Sequence, residues 1–190
     1  DLASPGFHNA LNATVAVAVA VDLGLSIEKI KKGISQFAGV ARRFQYRGEI
    51  NGVSFIDDYA HLPTEVQSAL EAAKAGKWSR IVAVFQPHRF TRTSDLASAF
   101  SDCFQDADEI IVTGIYSAGE KAIPGVTGKL VADAVASKAI EKNVRYCEHR
   151  EDLIVFLREL LVEGDLCLTL GAGDLTNIVD QLMGALEDGQ

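Results

Sequence analysis

The fold of this chain is decided by the stretch Phe55-Ile56-Asp57-Asp58-Tyr59-Ala60-His61-Leu62-Pro63-Thr64-Glu65. An apolar strand ends here in two carboxylates and a Tyr/His pair, and a helix start containing proline follows at once. In a doubly wound sheet, such a strand-to-helix corner is where ligands bind. We therefore predict an α/β protein with a candidate site at this corner.

A second corner of the same design follows the strand predicted over 81–85. It reads Gln86-Pro87-His88-Arg89-Phe90-Thr91-Arg92-Thr93 and is again polar and titratable. If the two corners sit on neighbouring strand ends, they form one wall of an active site.

The chain after residue 43 alternates strands with helices. Strands are predicted over 45–50, 53–56, 81–85, 109–113, 144–147 and 166–170, and helices over 64–75, 94–104, 128–140, 151–161 and 175–186. Asn51-Gly52 is a strong hairpin signal between the first two strands. The pattern predicts a Rossmann-like, mostly parallel sheet with helices on both faces and one antiparallel edge.

The residues before the predicted sheet have a different pattern of apolar residues. Valines alternate with alanine over 15–21, a strand-like period, but the alanine content favours a buried helix. Ser26 caps a second predicted helix, which runs to about residue 37. We predict two units, 1–43 and 44–190. The start at Asp1 without Met suggests a piece of a longer polypeptide.

Composition excludes several classes of function. A net charge of −8 argues against a general nucleic-acid binder. The longest apolar run, over 15–21, is too short to span a bilayer. The three cysteines lack CxxC spacing and indicate buried free thiols in a reducing cytoplasm. We expect a cytoplasmic protein without nucleic-acid or membrane partners, in which apolar surface over 14–21 favours self-association.

The candidate residues leave alternatives open. Asp57 and Asp58 could bind a metal, orient a base or hold a ribose, or they could be solvated turn residues. His61 and His88 could bind phosphate or line a small pocket, or they could be structural. Arg89 and Arg92 suit a carboxylate or phosphate, but surface arginines are the alternative.

Two glycine-containing segments are weak phosphate-loop signals. Gly171-Ala172-Gly173-Asp174 follows a strand and opens a helix, but it lacks a third glycine in register and favours a tight turn. Gly128-Lys129 lacks the rest of the GxxxxGK[ST] pattern. The printed sequence therefore supplies no P-loop.

Five segments together resemble the Mur ligases. They are Gly6-Phe7-His8-Asn9-Ala10-Leu11-Asn12-Ala13, Ala41-Arg42-Arg43-Phe44-Gln45, the two corners, and Ile115-Tyr116-Ser117-Ala118-Gly119-Glu120. The run over 86–93 is typical of the alanine-adding member. Ala60 and Leu62 depart from the family's usual Asp-Asp-Tyr-Gly-His-His-Pro corner.

The resemblance implies a division of the chain and an activity. Residues 1–43 would be the helical tail of a central ATP-binding domain, and 44–190 a C-terminal Rossmann-like ligase domain. The whole enzyme would add L-alanine to UDP-N-acetylmuramate through an acyl phosphate in peptidoglycan synthesis. ATP and Mg²⁺ would be its cofactors, with the Mg²⁺ ligands mostly outside this chain. The P-loop lysine and the UDP-sugar domain are missing, so we expect the chain alone to be inactive.

The resemblance also implies roles for single residues. Asn9 and Asn12 would contact adenine, Asp58 the ribose, and Arg43 the nucleotide phosphates. The alanine side would be formed by Tyr59, His61, His88, Arg89 and Arg92. Arg43, His61 and His88 are the candidate catalytic residues, and no metal ligand is predicted.

The alternative to a ligase is a non-catalytic nucleotide-binding or regulatory α/β module. A phospho-receiver also has an acidic pair after its first strand, but the segment Glu109-Ile110-Ile111-Val112-Thr113-Gly114 lacks its acceptor aspartate. A haloacid-type hydrolase needs DxD, whereas the sequence reads Asp57-Asp58-Tyr59.

Overall fold

A six-stranded sheet with helices on both faces forms the centre of the protein. The computed structural model describes residues 6–37, 39–139 and 141–187. The strands are β1 (Gln45–Ile50), β2 (Val53–Asp58), β3 (Arg80–Phe85), β4 (Glu109–Thr113), β5 (Asn143–Cys147) and β6 (Asp165–Leu170). The helices are α1 (Phe7–Asp22), α2 (Ile27–Gln36), α3 (Pro63–Lys74), α4 (Phe90–Leu96), α5 (Lys129–Lys138), α6 (Arg150–Leu160) and α7 (Thr176–Glu187).

The sheet order is β1-β2-β6-β3-β4-β5. All neighbouring pairs are parallel except β1 with β2, which is antiparallel at one edge. Asn51 and Gly52 both have positive φ, 53° and 73°, the backbone that a tight hairpin turn requires. The predicted α/β class, mostly parallel sheet and antiparallel edge hairpin are confirmed.

Alternation along the strands divides the core into two layers. In β3, Ile81, Ala83 and Phe85 face the layer of α3, α4 and α5, whereas Val82 and Val84 face that of α6 and α7. Successive side chains of a strand point to opposite faces, so a strand buried on both sides is apolar throughout. Helices therefore cover both faces, as predicted.

The condition stated for the two corners, that they follow neighbouring strands, is not met. β2 and β3 are not neighbours, because β6 lies between them and pairs with both. β6 is the last strand in the sequence, and no local pattern reveals its insertion between two earlier strands.

The helix predicted over 94–104 begins earlier. It is α4, Phe90–Leu96, followed by a short 3₁₀ helix, Ala97–Phe100. The Thr91 N–H at its first turn donates to Glu120 Oε2 at 3.0 Å. Glu120 belongs to a distant loop, so this tertiary contact supports a start that has no local capping signal.

The first helix forms as predicted, but it is not buried. Val15 is 63% exposed and Val19 is 54% exposed. In the described part of the chain, α1 contacts mainly α2 and α3. The Ser26 side chain accepts from the Lys29 N–H and caps α2, as expected. Among the described residues, no helix has the length and apolar character needed to cross a bilayer.

Candidate active site

The two corners meet above the end of β6. Asp58 and Phe85 both pair with Leu170, from opposite sides of that strand. The turn after β6 then bonds to one corner, because Gly171 N–H donates to Asp58 O at 3.0 Å. Gln86 N–H in the other corner donates to Leu170 O at 2.9 Å. The corners thus converge without being on adjacent strands.

Four rings from three loops form a continuous row. The centroids of Tyr59 and His61 are 5.5 Å apart, those of His61 and His88 are 5.6 Å apart, and Tyr116 stacks on His88 at 5.5 Å. The structure therefore brings together three of the predicted alanine-side residues. Tyr116, to which local sequence assigned no role, completes the row.

The contacts of His61 define which of its ring nitrogens carries a proton. Nδ1 lies 3.0 Å from the Tyr59 carbonyl oxygen and 3.2 Å from Glu65 Oε2. Both neighbours are acceptors, so Nδ1 is the donor. In the neutral ring, Nε2 then has a free lone pair and can accept a proton.

His88 has the opposite arrangement. Its Nδ1 lies 3.1 Å from Arg92 Nη1, and a guanidinium can only donate, so Nδ1 is the acceptor and Nε2 carries the proton. Burial lowers the pKa of His88 from its ordinary value, and the charge of Arg92, that of a protonated His61 and that of Arg89 lower it further. These effects favour the neutral form of His88, whose ring centroid lies 5.6 Å from that of His61.

The second corner is tied to the loop after β4. Arg89 N–H donates to Tyr116 O at 2.8 Å, and Tyr116 N–H donates to Pro87 O at 2.9 Å. Arg89 has φ 72°, the left-handed region, and its Nη1 lies 3.8 Å from Glu120 Oε1. The Arg89 side chain is 48% exposed and is therefore accessible to solvent beside Glu120.

Glu120 is the carboxylate that holds this corner. It accepts the Thr91 N–H at 3.0 Å and the Thr91 hydroxyl at 2.7 Å. These two bonds, from the backbone first and then the side chain, lower the pKa of Glu120, and the charge of Arg89 contributes less. The carboxylate therefore stays ionised opposite Arg89.

The acidic corner is not a solvated turn. Asp57 is fully buried and Asp58 is 3% exposed. Asp57 accepts from Arg42 Nε at 3.0 Å and the Thr169 hydroxyl at 2.7 Å. Asp58 Oδ2 accepts the Phe44 N–H at 2.6 Å. Both carboxylates therefore anchor the protein's own chain.

The same corner borders a cavity of about 180 Å³. It is lined by Arg43, Asp58, Thr64, Glu65, Ser68 and Ala69. The Arg43 guanidinium also lies 5.7 Å from the centroid of the Tyr59 ring. A cation and a carboxylate thus face one space, whereas Asn9 and Asn12 lie on α1 and do not line it.

The remaining candidates have structural explanations. The carbonyls of Gly171 and Gly173 accept from the Arg42 guanidinium, and a side chain at Gly173 would collide with Gln86 and Tyr116. The segment is a closely packed turn. Cys103, Cys147 and Cys167 are buried free thiols, as predicted. Within the described ranges, no three His, Cys, Asp or Glu residues are grouped so that they could hold a metal ion.

Comparison with known families agrees with this geometry. The family model described as Mur ligase, glutamate ligase domain, matches residues 42–173. The chain belongs to the Mur ligase family. The predicted resemblance is confirmed, and membership favours the ligase interpretation over the receiver and haloacid-hydrolase alternatives.

Curated Mur ligases are similar along almost the whole chain. The UDP-N-acetylmuramate–L-alanine ligase of Myxococcus xanthus (strain DK1622) is 45% identical over 181 residues, which cover 95% of this chain and 38% of the relative. That of Pelotomaculum thermopropionicum is 44% identical over 190 residues, covering 100% of this chain and 41% of the relative. The chain thus spans about two-fifths of the length of these relatives.

Solved Mur ligase structures share the fold. UDP-N-acetylmuramate-alanine ligase MurC from Thermotoga maritima superposes with a TM-score of 0.79 at 29% identity, covering 100% of this chain and 40% of that one. MurF ligase from the same organism, in complex with ADP, gives a TM-score of 0.70 at 19% identity, covering 98% of this chain and 40% of that one. The likeness to MurF concerns the fold.

Proposed function

We propose that this chain is the C-terminal part of an ATP-dependent ligase that joins L-alanine to UDP-N-acetylmuramate during peptidoglycan synthesis. The observation that carries the proposal is the convergence of the two corners, which places His61 and His88 5.6 Å apart with Arg92 bonded to His88. The relatives named as alanine ligases support the same choice of amino acid. Cytoplasmic localisation belongs to this proposal.

The proposal assigns the cavity beside Asp58 to the nucleotide. Arg43 would contact the phosphates there, and Asp58 would contact the ribose, since both residues line this cavity and a carboxylate accepts hydrogen bonds from hydroxyl groups. Asn9 and Asn12 would contact adenine from the 1–43 unit, which we assign to the central domain, and 44–190 to the C-terminal domain. The ADP complex of the MurF relative is consistent with a nucleotide in this fold. Mg²⁺ would be held mostly by residues outside this chain.

The ring row would form the alanine side of the site. Arg89 and Arg92 suit the amino-acid carboxylate, because a guanidinium binds a carboxylate through two parallel hydrogen bonds. Tyr59 would form one side of the amino-acid site. The Nε2 lone pair of His61 would accept a proton from the alanine amine. The Nε2–H of His88 would donate a hydrogen bond to an oxygen atom of the bound substrate. With Arg43 offsetting charge on an acyl phosphate, these residues make up the proposed catalytic set.

The test uses the full-length polypeptide with ATP, Mg²⁺ and UDP-N-acetylmuramate, and it measures phosphate release with each amino acid. Release that requires L-alanine supports the proposal. Release with another amino acid keeps the family and overturns the alanine assignment. Absence of release with every amino acid overturns the ligase and favours a non-catalytic module. The 190-residue chain tested in the same way is expected to be inactive, and ligation by it would contradict that expectation.

A further inference from the structure

We propose that Arg42 is the positioning residue of this site, which clamps the segment before β1 to the ends of β2 and β6 and so holds Arg43 beside the cavity. The inference rests on the proposed function, because the role of Arg43 toward ATP is part of that function. Nothing in the local sequence separates the two arginines.

The Arg42 guanidinium joins three chain segments. Its Nε donates to Asp57 Oδ2 at 3.0 Å, at the end of β2. Its Nη1 donates to Gly173 O at 3.1 Å and its Nη2 to Gly171 O at 2.5 Å, both in the turn after β6. The three bonds leave three different nitrogens of a planar guanidinium, whereas an ammonium presents its three donors from a single nitrogen.

The backbone around Arg43 is strained on both sides. Arg42 has φ 60° and Phe44 has φ 47°, in the left-handed region that residues with side chains rarely adopt. Tyr59 N–H donates to Arg42 O at 2.7 Å, and Phe44 N–H donates to Asp58 Oδ2 at 2.6 Å. Such a conformation persists only where the surroundings over-determine it, and these bonds with the Arg42 clamp supply that constraint.

The two neighbouring arginines therefore have different tasks. Three nitrogens of Arg42 are engaged by the protein, and its side chain is 21% exposed. Arg43 is exposed and lines the cavity with Asp58. Arg42 acts on the nucleotide through Arg43, so its removal should displace Arg43 without removing any group that lines the cavity.

The experiment compares Arg42→Ala and Arg42→Lys with Arg47→Ala in the full-length polypeptide. Arg47 is a matched control, because its side chain is 20% exposed and also pairs with an aspartate, Asp180, but on α7. We expect Arg42→Ala to lower kcat/KM for ATP by about tenfold to about a hundredfold, as misplacement of an active-site group does. KM for UDP-N-acetylmuramate should not change. Arg42→Lys should recover part of the loss, since it keeps a charge opposite Asp57.

A second measurement is independent of activity. The amide hydrogens of Phe44 and Tyr59 should exchange faster in Arg42→Ala than in the wild type, and in Arg47→Ala they should exchange at the wild-type rate. Wild-type ATP kinetics together with unchanged exchange at these amides would overturn the proposal. Equal weakening of ATP, alanine and sugar-nucleotide kinetics would also overturn it, because that result indicates general loss of structure.

Failure of the proposed function gives a different pattern. In that case the wild-type polypeptide releases no phosphate with any amino acid. Faster exchange at Phe44 and Tyr59 in Arg42→Ala would then still support the clamp, and unchanged exchange would overturn it.

Discussion

The two corners of the site are held by different physical means. In the first, Asp57 and Asp58 are buried, and each carboxylate accepts hydrogen bonds from the protein's own chain. In the second, Arg89 is about half exposed and is oriented by Glu120, a carboxylate with 21% of its side chain exposed. A buried charge that loses its partner costs far more than an exposed one, because water cannot replace the partner. The first corner is therefore a rigid part of the fold. The second corner can change its side-chain conformation when a ligand binds.

The largest expected effect is on the first corner. In Asp58→Asn, one acceptor oxygen becomes an N–H donor that faces the N–H of Phe44 or of Ala60. The free energy of unfolding should fall by about 1.5–3 kcal/mol, the range for a buried hydrogen bond to a charged group. Urea unfolding of the 190-residue chain, followed by circular dichroism, measures this change.

The control for that variant is Asp180→Asn. Asp180 also pairs with an arginine, but its side chain is 68% exposed. The free energy of unfolding of Asp180→Asn should stay within about 0.5 kcal/mol of the wild-type value, as for most surface substitutions. Equal losses in the two variants would show that burial does not distinguish the first corner.

The next effect is on binding at the second corner. Arg92→Gln in the full-length polypeptide should raise KM for L-alanine by about tenfold, the equivalent of one hydrogen bond to a charged group. The melting temperature should change little, since Arg92 anchors no buried carboxylate. Arg145→Gln is the control, because Arg145 lies on β5 over the Phe156 ring. A large loss of stability with unchanged alanine kinetics would show instead that Arg92 stabilises the fold and does not bind alanine.

The smallest effect is a pH dependence from His88. Its pKa is below the ordinary value of 6.5, mainly through burial. The unfolded chain therefore binds this proton more readily than the folded chain. The stability that neutral His88 contributes is complete above pH 6.5 and is lost as pH falls through its folded pKa. The difference in unfolding free energy between wild type and His88→Gln should shrink from pH 8 to pH 5.

Histidine ring NMR tests the cause of that shift directly. Arg92→Gln should raise the pKa of His88, because the Arg92 charge is the largest contribution after burial. Arg145→Gln should leave it unchanged. A His88 pKa at or above 6.5 in the wild type would contradict the lowering of this pKa by burial and by the Arg92 charge.

Local sequence predicted those features that depend on near neighbours. The Asn51-Gly52 turn is one example, because its positive φ values are a property of these two residues. The candidate residues Tyr59, His61 and His88 also lie together as anticipated. Arg42, Tyr116 and Glu120 received no role, although all three stand in segments that resemble the family, since their partners are far away in the sequence.

By itself, the sequence determined the alternation of strands and helices, the two polar corners and the types of chemistry that their side chains can perform. These follow from hydrophobic period, turn residues and functional groups, which are local properties. Only the tertiary structure decided that β6 separates β2 from β3 and that the corners still meet above it. It also decided that Arg42 binds Asp57 while Arg43 remains exposed. The physical reason is that a buried strand has the same pattern in any sheet order, whereas close packing of distant segments selects one order and one set of partners.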